Sequence, residues 1–403
     1  MGTFLLSGTM MRLALQQGYH RDPSQFPNLS VFQAEMRRRI WTAVSQHDLL
    51  FSVQIGLPKA IRYAECDTQS PRNLHEEELY EDMKELPPSR PLSEDTEVSY
   101  QVVKLQMMRA YGSVMEFLNL LEPQPYEEAL KLDLKLMEAR ANIPTHLQLR
   151  TLGEMANDPP SRVMERYILQ LFYHKAICLL HRKYWSAVPS QTVHNTWYYS
   201  RQSCVGSSLA LLDHQATMHR AAQPGGLLQN MKWHHFPITN HDFLLAAMIL
   251  CLDLKSIAQR GDKNDIPDCL IPESDKIQAI RNSRATWAQV VDDCRDARRA
   301  VNILTSVLNK LSSHREEQKR AVNALETKDV LSASCTNPNV DSLRYSPYFT
   351  DQFGLGIPLL ADQPTGVDTN METDFLDTLG SDFTMPEGFN WVRIQIPQCD
   401  ALI

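Results

Sequence analysis

The chain has 403 residues, 43% hydrophobic and 22% charged, with 15 Gly and 23 Pro, which excludes collagen, a fully disordered polymer and a small disulfide scaffold. Its net charge of −8 equals the balance of residues 341–403 alone, so residues 1–340 are neutral and offer no basic field for grasping a phosphate backbone. The eight cysteines are scattered without metal-site spacing, which reads as reduced thiols in a cytosolic or nuclear protein, and the longest apolar run, 243–252, falls short of the roughly 18 residues a bilayer needs.

In chain order, the first strong helical pattern is 31–51. Met36, Ile40, Val44, His47 and Phe51 form an apolar stripe with His47 read as a core histidine, and Glu35 precedes Arg39 by four residues. Residues 86–96 (PPSRP within) read as a linker. It separates N-terminal helices, 1–85, from the rest of a helical domain, 97–327. Helices are predicted over 97–121 and 126–142, punctuated by Pro123, Pro125 and Pro144, since proline lacks the amide a helix interior uses. A further helix over 162–184 carries Met164, Tyr167, Ile168, Leu171, Lys175, Cys178 and Leu179 on one face; another covers 191–219. Residues 242–259 are apolar nearly all round, the pattern of a helix buried on every side. From 283 to 325 runs one long amphipathic stretch ending in the charged segment 314–320. No sustained period-2 alternation occurs, so the predicted fold is an all-α multi-helix bundle.

The last segment, 328–403, interleaves its acids with Phe375, Leu376, Leu379, Phe383 and Trp391 among Gly, Pro and Asn. That is the composition of a disordered activation segment, in which charge keeps aromatics in water and available to a partner's groove.

Candidate chemistry is sparse. Asp292, Asp293 and Asp296 form a D-D-x-x-D that on one helix would gather Mg²⁺ for a diphosphate, as in an all-α enzyme of the terpenoid type, but no second metal motif follows and Arg295, Arg298 and Arg299 lie within helical reach. His75 with Glu76–Glu78 begins like H-E-x-x-H, yet position 79 is Leu, which leaves an acid-rich helix start. His234, His235 and His241 cluster near Trp233 and read as loop histidines. Gly354 and Gly356 lack the strand and helix of a dinucleotide site, and Cys204 has no nucleophile context. The chain therefore reads as a non-enzyme, with no catalytic, cofactor or metal residue assigned.

Two segments carry a resemblance. Leu13-Ala14-Leu15-Gln16-Gln17-Gly18-Tyr19-His20-Arg21-Asp22-Pro23, Glu35-Met36-Arg37-Arg38-Arg39-Ile40-Trp41, Asp48, Ser52, Gly56-Leu57-Pro58, Cys66-Asp67 and Pro71-Arg72-Asn73 follow one another in the order and spacing of a known pattern. The apolar run that begins at Phe236-Pro237-Ile238 and continues to Leu254 joins them. Together they resemble the middle homology region of fungal zinc-cluster transcription factors. Thr42 stands where that family has a second Trp, and Leu57 where it has Arg.

The resemblance implies a nuclear regulator of RNA polymerase II transcription of metabolic or secondary-metabolite genes, with Arg37, Arg38, Arg39, Trp41, Asp48, Gly56 and Pro58 as its structural motif. It also implies coactivator recruitment through the tail, a homodimer, a small-molecule inducer and no membrane. Zinc belongs to the family's six-Cys cluster, whose Cys array is not found among these residues, so zinc and DNA contact are carried over to no residue here. The other reading of the same resemblance is a partner protein without DNA binding of its own. On physical grounds, one guanidinium of the Arg37–Arg39 run is expected to reach a buried carboxylate, Asp48 or Asp67, while Gly56 and Pro58 turn the chain out of the helix.

Overall fold

A computed structural model describes residues 2–185, 194–231, 237–260, 271–292 and 295–329, and among these the fold is all-α with no strand. The chain divides into two compact units, one holding Met1–Leu308 and the other beginning at Asn309. The helices are α1 Gly2–Gln16, α2 Val31–Ile55, α3 Ser99–Leu118, α4 Tyr126–Ala141, α5 Pro160–Trp185, α6 His194–Ala221, α7 Pro237–Arg260, α8 Glu273–Ala288 and α9 Arg295–Asp329.

Local chemistry sets the ends. Ser30 caps α2 in a full capping box, its hydroxyl accepting from the Gln33 amide at 3.2 Å while the Gln33 side chain accepts from the Ser30 amide at 3.1 Å. The helix stops at Gly56, whose φ of +68° is a left-handed conformation that glycine adopts without steric cost. Helix α4 has Glu127 and Glu128 in its first turn and Arg140 in its last, each at the helix end whose dipole favours it. A proline opens α5, where the missing amide costs nothing.

Helices α5, α6 and α7 form the centre of the first unit, with the α3–α4 pair against α5, α8 against α6 and α7, and α1–α2 joined through α2 to α3. Helix α5 is buried nearly all round rather than along one stripe: Val163, Leu169, Ala176, Cys178 and Leu180 are all fully enclosed. Helix α7 is likewise buried on every side, from Phe243 to Leu254. At Gly112 of α3 an added Cβ would stand 3.0 Å from the Tyr63 ring, so a side chain there would force that ring to move.

Two expectations change. The buried face of α2 is not the stripe through Met36, Ile40, Val44, His47 and Phe51: Ile40 is 41% exposed and His47 is exposed, its Nδ1 against the Ala43 carbonyl at 2.8 Å. The buried residues are Glu35, Arg39, Trp41, Thr42, Val44, Ser45, Gln46, Asp48, Leu49, Ser52 and Val53, a set that apolar periodicity misses because seven of the eleven are polar. Second, 283–325 is not one helix; α8 ends at Ala288, a turn follows, and α9 starts at Arg295. Residues 86–94 are also hydrogen-bonded to the preceding segment. The Arg72 guanidinium donates to the carbonyls of Leu86 (2.9 Å) and Pro87 (2.7 Å), and the Asn73 amide group donates to those of Pro91 (3.0 Å) and Glu94 (3.3 Å). Residues 330–403, including the tail aromatics Phe375, Leu376, Leu379, Phe383 and Trp391, lie outside the described residues.

Candidate functional site

The densest polar construction of the N-terminal half is built on the three consecutive arginines of α2. Successive helical residues point about 100° apart, so the run reaches three different segments. Arg37 donates to the Gln17 carbonyl at the end of α1 (2.6 Å) and lies 4.1 Å over the Tyr19 ring. Arg38 grips Asp22 with two parallel bonds, from Nε at 3.0 Å and from NH2 at 2.9 Å. Arg39 donates to both oxygens of Glu76, at 2.8 and 3.0 Å.

Asp22 is the centre of the construction. Burial would raise its carboxyl, but Arg38 and the amides of Gln69 (2.9 Å) and Ser24 (3.1 Å) hold it far below the usual carboxylate range. Its own amide donates to Asp67 at 2.7 Å, and Asp67 in turn faces Arg21 at 3.1 Å. Glu35 is fully enclosed and accepts from the Arg72 amide at 2.9 Å, with Arg39 at 3.6 Å and Arg38 at 3.8 Å; burial raises its carboxyl despite them.

The partner of the guanidinium is therefore Asp22, not Asp48 or Asp67. Asp48 instead accepts the backbone amides of Ala60 (3.3 Å) and Ile61 (2.8 Å), pinning the chain that leaves α2 after Gly56 and Pro58. Trp41 fills the space beneath, buried with Ala14, Val44 and Ile61. The arrangement joins α1, the 18–25 turn, α2 and the extended 60–76 segment in one hub, and has the chemistry of a brace.

A second network crosses α4, α5 and α6. His181 has Nδ1 3.1 Å from the Ser200 hydroxyl and Nε2 3.3 Å from Asp133. Tyr126 reaches the same serine at 2.8 Å, and Tyr199 donates to Asp133. A serine, a histidine and an aspartate in sequence invite comparison with a hydrolytic triad. However, Ser200 and His181 have no exposed surface and Asp133 has 3%, so no substrate reaches the hydroxyl; this is a core tie that sequence inspection missed because its members are far apart in the chain. Three further buried ion pairs tie α7 to its neighbours: Asp253 receives Arg201 of α6 (2.5 Å) and Lys276 of α8 (2.6 Å), and Asp242 pairs with Lys175 of α5. Burial pushes the Asp242 carboxyl up to about 6, with the Lys175 ammonium opposing.

A depression beside these helices is lined by Asn240, His241, Leu244, Trp287, Asp296, Arg299 and Ala300, about 320 Å³ including the solvent at its mouth. It brings His241 and Asp296 together, and burial lowers the imidazole's affinity for a proton. The two described acids of the D-D-x-x-D lie on different elements. Asp292 is exposed in the turn after α8, Asp296 is in the first turn of α9, and Asp293, like His234, His235, Gly354 and Gly356, lies outside the described residues. Among the described residues no group of three His, Cys, Asp or Glu is placed to hold a metal ion. His75 begins a single 3₁₀ turn, Glu76–Glu78, and sits 3.2 Å from Glu97. Cys204 is enclosed against α5, its thiol facing the Cys178 carbonyl at 3.6 Å, and burial with Cys178 beside it raises its pKa.

Comparison with known proteins adds to this geometry. Residues 2–138 match the family model described as the fungal specific transcription factor domain. The chain is 33% identical over 396 residues to the Zn(2)-C6 fungal-type transcription factor mpsB of Macrophomina phaseolina, covering 96% of this chain and 53% of that protein. It is 36% identical over 310 residues to the Zn(2)-C6 fungal-type transcription factor pigI of Monascus ruber (76% and 38%). It is also 36% identical over 313 residues to the fusarisetin A cluster transcription factor fsa6 of a Fusarium species (77% and 40%). The chain spans about half, or less, of the length of these curated relatives, and no solved structure matches it.

Proposed function

Because this chain carries the fungal specific transcription factor domain and is homologous to Zn(2)-C6 fungal-type transcription factors, we propose that it is the regulatory and activation part of a nuclear regulator of secondary-metabolite biosynthesis genes. The observation that carries this reading is the likeness over 396 residues to a protein named as such a factor, joined by one named for a biosynthetic cluster. The arginine hub fits it: the residues of the matched domain are spent on bracing helices, not on a substrate-facing group.

In this mechanism the helical body is a scaffold, and the acidic-aromatic segment 328–403 recruits the transcription machinery by offering Phe375, Leu376, Leu379 and Phe383 to a coactivator groove. Promoter DNA is reached through a zinc cluster that none of these 403 residues supplies, and zinc is assigned to no side chain here. Residues 328–403 fused to a heterologous DNA-binding domain should activate a reporter, and replacing those four side chains by alanine should silence it. A fusion that is silent from the start removes the activation role, while a fusion that still works without the aromatics removes the proposed contacts.

A further inference from the structure

We propose that Cys178 of α5 and Cys204 of α6 are a peroxide-responsive dithiol pair, closing to a disulfide that locks the two central helices together. The two residues meet in both directions: Cys178 Sγ lies 3.7 Å from the Cys204 carbonyl, and Cys204 Sγ lies 3.6 Å from the Cys178 carbonyl. A thiol-to-thiol hydrogen bond joins them as well, and with burial it raises the Cys204 pKa. Reciprocal contacts of this kind set the two side chains face to face across the helix pair, as a disulfide requires. Cys66 and Cys251 are placed differently. The Cys66 thiol sits on the Arg62 carbonyl at 3.2 Å, within its own segment, and Cys251 is buried on α7.

The chemistry balances with one small oxidant, hydrogen peroxide. It transfers an oxygen atom to one thiol, giving a sulfenic acid and releasing water. The neighbouring thiol then attacks the sulfenic sulfur; the S–S bond forms, and the hydroxyl group leaves with the thiol proton as a second water. The two thiols lose two electrons and two protons, and the peroxide takes both. Full enclosure of the pair and the raised Cys204 pKa keep it inert toward traces of oxidant. A neutral molecule little larger than water reaches it through local openings of the bundle when peroxide is sustained. The bond joins positions 26 residues apart in the chain, so it restricts the unfolded state and stabilises the folded one. Helices α3, α4, α7 and α8 all pack on α5 or α6, so the latch holds the body together in oxidising conditions, and thiol reductants reopen it. It does not depend on the transcriptional reading.

Peptide mass analysis of the full chain tests it, after treatment with hydrogen peroxide in native buffer, alkylation in denaturant and digestion. The expected product is a peptide pair joined through Cys178 and Cys204, lighter than its two parts by two hydrogen atoms and separated by dithiothreitol. The melting temperature should rise by about 5 °C on oxidation and return on reduction. Cys178→Ala and Cys204→Ala should each lose both the linked peptide and the rise, whereas Cys66→Ala should keep both. The linkage is read on the wild-type chain, so a poorly folding alanine variant leaves the test intact. Wild-type thiols that are still alkylated after peroxide, that pass to sulfinic acid without linkage, or that join other cysteines overturn the proposal. A linked pair that leaves the melting temperature unmoved overturns the latch.

Discussion

Asp22 shows how far one carboxylate can organise a segment. Two bonds from Arg38 and two from backbone amides keep it ionised in a site that burial alone would neutralise. Removing the guanidinium leaves that charge enclosed, so Arg38→Ala should cost about 3 kcal/mol and lower the melting temperature by several degrees, read by calorimetry near neutral pH. Because the folded pKa of Asp22 is depressed, its contribution is present above the ordinary carboxylate range and is lost as pH falls through the folded value. The variant should therefore also lose part of the wild type's destabilisation in acid. A melting temperature unmoved by Arg38→Ala would mean that the hub braces nothing. The sequence pointed to a clasp here but chose the wrong acid, since Asp48 and Asp67 are as near in composition and pattern as Asp22. Only the turn at 18–25 decides which carboxylate the arginine meets.

Between elements, polar ties replace apolar stripes. The α5–α6 contact holds His174 and His214 with ring centroids 5.7 Å apart, His214 edge-on to Tyr167 and His174 edge-on to Tyr173. Burial lowers both imidazoles, His214 to about 4 and His174 well below its ordinary value, with Arg140 adding to the effect. Above about pH 6.5 the folded and unfolded forms are both neutral and the contact contributes in full. As pH falls from there toward 4 the unfolded chain takes up a proton that folded His214 refuses, so stability declines by up to about 3 kcal/mol. His214→Phe keeps a ring in place and should flatten that acid limb, measured as unfolding free energy against pH. A limb of unchanged slope would remove His214 from the account. Helix existence was legible from spacing for α2 to α7, because apolar periodicity and prolines mark them. The break between α8 and α9 was not, because Asp292, Asp293 and the arginines around them suit a helix surface and a turn equally well.

For the whole molecule, charge distribution bears most directly on function. With its net −8 balanced by residues 341–403, the rest of the chain has no excess of cations to release counterions from a phosphate backbone. Residues 1–403 should therefore show no duplex binding at low salt by fluorescence anisotropy with a random-sequence oligonucleotide. Salt-sensitive binding would contradict the charge argument and return DNA contact to this chain.

What the sequence determined by itself was the helical class, the apolar character of α7, the neutral body with an acidic end, and the family pattern from Leu13 to Asn73, since each depends on residue type and spacing along the chain. What the tertiary structure alone decided was which partners those residues find: Asp22 for Arg38, Glu76 for Arg39, amides for Asp48, and a buried Asp133–His181–Ser200 tie in place of chemistry. The reason is physical. Periodicity reports the average polarity of a helix face, whereas a buried polar side chain is stable only if a specific donor or acceptor from a distant segment meets it, and that meeting is fixed by how the helices pack.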